Sequence, residues 1–396
     1  MKKIIIFIII LFMLSGCFNY KEINDYAIVS GISIDINDKN ENEYIVSIQI
    51  MNSKKEKEDQ ASSITIYKAT GKTIYQALEK IMLDSPKEIY LGHNEVVVIS
   101  EELLKRKDPL EYLDYFLRDS KIEKDSLVIN AKNSKAYEVL EIITPLETVP
   151  SSNLKSSLNI ANNYSGTLTL VTIDEFIQDL KIEGKEPVLP SVIIKGKKDD
   201  GDKMKNIEES NPNAKLKFTT LAYFKDNKLK GYLTSEESLG YNFLKGEAKK
   251  TYINVLCDDK NYMTLRVRNS KIKNNLTFKD GKPNINVTID LKVNISEYNC
   301  DTNFIDDETS IKSLEKKSKK KVIRVMKKLT NKLYENEKSD VIGYGYMFYS
   351  KKHKEMKKYK YTKNNIINDI IFNFNTNIKI TSPNLSIKSI KEKKYE

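Results

Sequence analysis

Two hydrophobic periods alternate along the chain. Residues 26–35 and 44–51 are dense in Ile, Val and Tyr around a polar, turn-like stretch at 37–43, the pattern of a β-hairpin. From Gly71 onward, Ile74, Leu78, Ile81 and Met82 recur at helical spacing until Pro86, which lacks the N–H a helix needs. Residues 89–99 contain the block Val96-Val97-Val98-Ile99 and predict a buried strand. Leu110, Leu113, Phe116 and Leu117 mark a second amphipathic helix, 126–131 a short strand and 134–142 a third helix. This order predicts an α+β lobe built on a mixed sheet.

Further along, 151–162 and 173–180 read as helices and 187–195 as a strand. Residues 197–212 are charged and poor in apolar side chains, the pattern of a linker. A hairpin is predicted from 218–224 and 229–233 around Lys225-Asp226-Asn227-Lys228. Thr234 with Glu237 fits a capping box for a helix reaching Leu244. Strands follow near 251–256, 262–272 and 285–295, then a long helix over 311–334 and apolar alternation over 372–380 and 385–390. The expected organisation is 1–16 as a signal peptide, 17–145 as an N-terminal α+β domain and 146–196 as a middle lobe, free-standing or packed on it. A polar linker is expected at 197–215 and a C-terminal α+β domain at 216–396. A length of 396 residues suits two or three domains, and 40% hydrophobic with 31% charged residues is a globular balance.

The N-terminus bears on compartment. Lys2 and Lys3 precede an apolar run from Ile4 to Leu14. That is too short to span a bilayer, which needs about 20 residues, but suits a signal-peptide core. Leu14-Ser15-Gly16-Cys17 follows directly and looks like a bacterial lipobox, in which the Cys17 thiol takes a thioether-linked lipid. The alternative is an ordinary signal peptide with an incidental cysteine. Cleavage before Cys17 leaves Cys257 and Cys300, which the sequence allows either as a disulfide or as free thiols.

Charge adds a second constraint. The net +11 resolves into +15 over 311–396 and −4 over the rest. Val322, Val325, Met326, Leu329 and Leu333 form one helical stripe with lysines on the other face. A solvated face over an ordinary core explains this; attraction to an anionic membrane surface is a second reading. Nucleic acid is disfavoured by the export signal and by the scarcity of Arg, the residue that reads guanine edges, which occurs only five times. No nucleotide-binding loop, zinc-protease helix or serine elbow is present. With two His and three Cys, neither metal nor cofactor is expected. His93, near Glu95, reads as a structural histidine bonding loop backbone, and His353 sits in a lysine run. The pairs Glu101-Glu102 and Glu236-Glu237 fall at helix starts, where they suit the dipole. No catalytic residue is assigned, and the chain is not expected to be an enzyme.

Several segments together resemble the Ger(x)C spore germination lipoproteins, the C subunits of nutrient germinant receptors. They are the lipobox, 24–35 (NDYAIVSGISID), 85–93 (SPKEIYLGH) and 114–119 (DYFLRD). The C-terminal half adds 222–233 (AYFKDNKLKGYL), 236–240 (EESLG), 244–246 (LKG) and 340–345 (DVIGYG). Phe18 stands where the family usually has Trp. The resemblance implies an α+β fold in several lobes, mixed sheets flanked by helices, behind a cleaved lipoprotein signal peptide. It implies a non-catalytic subunit acting in assembly or signal coupling beside integral membrane A- and B-type subunits, lipid-anchored on the outer face of the spore inner membrane. It defines no ligand-binding residue and leaves open whether this subunit binds germinant directly. The competing expectation is a lipoprotein solute-binding receptor of a transporter, which calls for two similar lobes around a cleft.

Overall fold

The computed structural model describes residues 22–52, 62–119, 121–256, 260–299 and 308–381. Cys17, Cys257, Cys300 and the alternation at 385–390 lie outside the described residues.

A nine-stranded mixed sheet organises the first half. Its strands are β1 (Tyr26–Ile36), β2 (Tyr44–Met51), β3 (Ile64–Gly71), β4 (Glu88–Tyr90), β5 (Val96–Ser100), β6 (Leu127–Ala131), β7 (Val188–Gly196), β8 (Ala214–Lys225) and β9 (Lys228–Tyr232). The order is β3-β2-β1-β5-β6-β7-β8-β9, with β4 paired to the start of β1. The β1–β5, β5–β6 and β6–β7 pairs are parallel, and the outer pairs are antiparallel. Every residue of β5 and β6 is buried, which is why Val96-Val97-Val98-Ile99 reads as an unbroken apolar run.

Helices cover both faces: α1 (Ile74–Asp84), α2 (Glu101–Arg106), α3 (Leu110–Arg118), α4 (Ala136–Glu141), α5 (Pro150–Tyr164), α6 (Ile173–Lys181) and α7 (Met204–Glu208). Their apolar stripes supply the core, with Leu78, Phe116, Leu140, Leu154 and Phe176 at or near zero exposure. Each such side chain contributes roughly 1.5–3 kcal/mol by leaving water. Thr172 and Glu175 form a capping box on α6 that sequence reading passed over.

The second sheet has four strands in the order β10 (Tyr252–Leu256), β11 (Tyr262–Lys279), β12 (Lys282–Tyr298) and β13 (Ile371–Thr381). Between the sheets lies α8 (Ser235–Lys245), capped by Thr234 and Glu237 as expected and ended by Gly246. The basic helix α9 (Glu308–Thr330) joins β12 to the parallel β13 side by way of α10 (Tyr344–Lys351) and α11 (His353–Lys358). Leu314, Val322, Val325, Met326, Leu329 and Leu333 form its buried stripe. Two mixed sheets with flanking helices make this an α+β fold.

Three departures from the sequence expectations have physical reasons. The strand expected over 89–99 is two strands, β4 and β5, because residues 91–95 turn between separate stretches of β1. The long helix ends its regular winding at Thr330 and continues as a π-turn over Asn331–Asn336. The polar stretch 197–215 is built into the fold instead of linking two bodies. Buried Asn206 donates to the carbonyls of Ile143 (2.7 Å) and Ala214 (3.0 Å) and accepts from Ala214 N–H (3.0 Å). The large sheet runs through the expected boundary at 215/216 to Tyr232, and 146–196 packs with the N-terminal strands.

Candidate functional site

Two places concentrate polar chemistry. The first is the carboxyl edge of the parallel strands, where open α/β sheets commonly hold ligands. Here β1, β5 and β6 end together. Asp35, fully buried near the end of β1, accepts from the N–H groups of Ala136 (2.7 Å) and Tyr137 (3.1 Å) at the start of α4. Burial pushes its carboxyl up to about 6, against the pull of those two donors. Above it an open cleft of about 610 Å³ is lined by Glu101, Glu102, Lys105, Arg106, Lys135, Glu138 and Lys198, among others. These charges satisfy one another. Glu102 pairs with Arg106 (2.6 Å) and Lys135 (3.0 Å), Glu138 with Lys198 (2.6 Å), and Glu101 with Lys105. The result is a cradle whose three carboxylates are paired with its four cations.

The second place joins the two halves. Asp340, buried, accepts from the N–H groups of Gly343 (2.8 Å), Tyr344 (3.0 Å) and Gly345 (2.6 Å), and from the Tyr334 hydroxyl. Burial pushes its carboxyl above the ordinary value, with the Gly345, Tyr334, Tyr344 and Gly343 donors pulling back. Its own carbonyl accepts from Glu186 N–H of the first half (2.9 Å). Ser339 donates to the Phe224 carbonyl (2.5 Å), and Tyr346 N–H to that of Gly184 (3.3 Å). The glycine spacing follows from this geometry. Gly343 has φ +83°, and a Cβ on Gly345 would lie 2.1 Å from the Lys363 carbonyl. Tyr334, Tyr344 and Phe372 close the site with ring centroids 5.0–5.9 Å apart.

The basic helix is held by acids. Glu236 contacts Lys321 (2.5 Å), Lys328 (3.1 Å) and Arg324 (3.2 Å), and Glu237 contacts Lys332 (3.0 Å). Lys321 and Lys328 draw the Glu236 carboxyl down to about 2. The face expected to be merely solvated is therefore partly an interhelical clamp, and Glu236-Glu237 do more than face a dipole.

His93 is exposed, contrary to the structural role expected of it. Its loop is held instead by Asn94, which donates to Ser126 (3.1 Å) while Ser126 donates to the Asn94 carbonyl (2.6 Å). Glu95 is engaged by Ser152 and Lys155. His353 lies against the Tyr349 ring. Among the described residues no group of three or more His, Cys, Asp or Glu could hold a metal, and no helix is long and apolar enough to cross a membrane.

Comparison with known proteins gives a consistent picture. The profile for the spore germination protein N-terminal domain matches residues 19–194, and that for the spore germination B3/GerAC-like C-terminal domain matches 219–384. Spore germination protein KC of Bacillus subtilis (strain 168) is 27% identical over 363 residues, 88% of this chain and 87% of that protein. Spore germination protein B3 of the same organism is 22% identical over 350 residues, covering 86% and 87%. The crystal structure of the GerBC protein has the same fold, with a TM-score of 0.54 at 17% identity, covering 88% of this chain and 96% of that one.

Proposed function

Because the chain belongs to the Ger(x)C family of spore germination proteins, we propose that it is the lipid-anchored, non-catalytic C subunit of a nutrient germinant receptor. Its task on this reading is assembly or signal coupling beside integral A- and B-type subunits at the spore inner membrane, with Cys17 as the acylated residue. The observation that carries the reading is where the matched motifs fall. Asp35 ties β1 to α4; Asp226 and Asn227, both with positive φ, turn the β8–β9 hairpin; and the Asp340 carboxylate orders the turn through Gly343 and Gly345, while the Asp340 carbonyl joins the two halves at Glu186. Each of these three segments holds a structural joint. The two sheets, of nine and four strands, are unlike, which speaks against a solute-binding receptor with paired lobes.

The test is crosslinking and affinity capture from spore membranes. Co-recovery of integral A- and B-type subunits is expected, and their absence from a well-expressed preparation overturns the reading. Cys17→Ala is expected to release the protein from the membrane and impair nutrient-triggered germination. Membrane retention of that variant removes the anchoring claim.

A further inference from the structure

Two exposed apolar tips sit at the same end of the large sheet. β1 and β2 run antiparallel, with Ile36 opposite Tyr44 at one end and Val29 opposite Ile50 at the other. β3 ends at Gly71, opposite Tyr44. α1 starts three residues later and returns along β3 and β2, so its last turn arrives where β1 begins. That turn carries Met82 and Leu83, the latter 84% exposed. The chain then enters β4, which lies beside Tyr26–Ile28 and brings the half-exposed Tyr90 ring to 5.6 Å from Tyr26. On the other face, the connection from α4 to α5 comes down to this same end. Its Thr148 carbonyl accepts from Ser63 (3.0 Å), next to Ile64, which pairs with Met51 at the far end of β2. Leu146, two residues earlier, is 100% exposed.

The tether limits what can cover these tips. Cys17 precedes Glu22, where the described chain begins, by five residues. At no more than about 3.6 Å per residue, they reach at most about 18 Å. A lipid on Cys17 therefore keeps this end of the sheet near the bilayer. Met, Leu and Tyr are suited to the boundary between headgroups and acyl chains. Lys87 and Lys80 stand among Asp84, Glu88 and Glu79, so net charge does not drive the contact.

We propose that Leu83 with Met82 and Tyr90 on one side of the sheet, and Leu146 on the other, rest on the lipid surface that holds Cys17 and set the sheet upright on it. This rests on the anchoring reading above. It places the carboxyl-edge cleft at the far end of β1, eleven residues or about 36 Å from the bilayer.

The chain contains no Trp, which allows a direct test. Leu83→Trp and Leu146→Trp, each in the lipidated full chain, would be reconstituted into phosphatidylcholine/phosphatidylglycerol vesicles with or without brominated phosphatidylcholine. Tyr252→Trp, on the second sheet, is the control. All three positions are exposed, so the core is untouched. Both leucine-site variants are expected to shift emission to the blue and lose intensity with brominated lipid, independently of salt, while the control changes in neither respect. If all three variants float with the vesicles but emit alike, the docking proposal is overturned and anchoring stands. If none floats, both fall. Shielding of Leu83→Trp only in membranes that contain the integral subunits assigns the tip to a protein neighbour and overturns the proposal.

Discussion

Replacing Asp340 with alanine takes away one acceptor shared by three backbone N–H groups and the Tyr334 hydroxyl. Asp340 is 2% exposed, so water does not readily take its place. A buried donor left without a partner costs about 1–3 kcal/mol. Even if relaxation recovers half of the four, Asp340→Ala loses about 4 kcal/mol, a large share of the 5–15 kcal/mol typical of a folded protein. Asp340→Asn separates the acceptor from its charge. Its carbonyl oxygen can still serve Gly343, Tyr344 and Tyr334, which all use Oδ1, but its NH2 group then faces the Gly345 N–H. One bond is lost and two donors oppose each other, which costs about 2–3 kcal/mol. The expected order in urea unfolding of the mature protein is wild type, then Asn, then Ala. Exchange of the Gly345 amide should accelerate in both variants. A loss below about 1 kcal/mol for Asp340→Ala, or protection of Gly345 unchanged in either variant, would refute the view that this carboxylate holds the junction.

Gly345→Ala pushes a methyl group to 2.1 Å from the Lys363 carbonyl and is expected to lower the thermal midpoint clearly, whereas a surface change such as Ile160→Ala should not. Asp35 holds its proton to about 6 when folded against 3.8 when unfolded. Its ionisation penalty is absent below 3.8, grows between the two values and is complete above 6, destabilising the fold by about 3 kcal/mol as pH rises. The stability difference between wild type and Asp35→Asn should change across that window, and a flat difference by urea titration would count against it. Glu236 acts with the opposite sign. Its carboxyl is drawn from 4.5 to about 2, so its contribution is present above 4.5 and is lost as pH falls toward 2. With Glu236 37% exposed, Glu236→Gln should cost less than about 1 kcal/mol at neutral pH, and raising the salt should shrink that loss.

What the sequence made legible was what local chemistry decides. The hairpins flanking 37–43 and 226–227, the α8 capping box and the stripe on α9 all came from spacing within a few residues. What it hid was decided by distant partners. Asn206 looks like linker composition, yet it is buried because it satisfies two residues at once, one of them 63 positions away. Glu236 looks like a dipole complement, and its lysines lie 85 to 92 positions later. The extension of β11 and β12 to a hairpin of 18 and 17 residues was missed because Lys271 to Lys279 is polar along its exposed face. A local signal was nonetheless there: Asp280-Gly281, both with positive φ, is a type of turn that closes a two-residue hairpin. The Asp340 site was marked only by its glycines, since nothing local says that Tyr334 and Glu186 meet the same residue.

These long-range joints give the fold a mechanical character that bears on the coupling role proposed above. Asp340 lies between the π-turned end of α9 and the start of α10, while its carbonyl and the neighbouring Ser339 hydroxyl bond the loop before β7 and the end of β8. Lys332 adds a bond from the same helix end to the Tyr232 carbonyl, where the large sheet finishes (2.8 Å). A displacement of α9 is thus opposed at its middle by Glu236 and at its end by Asp340 and Lys332, and each contact leads into the large sheet. Interfaces packed this closely shift between discrete arrangements instead of deforming gradually. A partner that pulls on the second sheet would therefore move the first as one piece, or else break the Asp340 joint. Germination measured in spores carrying Asp340→Asn tests the joint. Loss of the nutrient response with normal protein level and normal capture of the proposed integral partners means that the ordering of this turn matters to transmission. An unchanged response means that the carboxylate charge and the Gly345 bond are dispensable, the Glu186 and Phe224 contacts being intact in this variant.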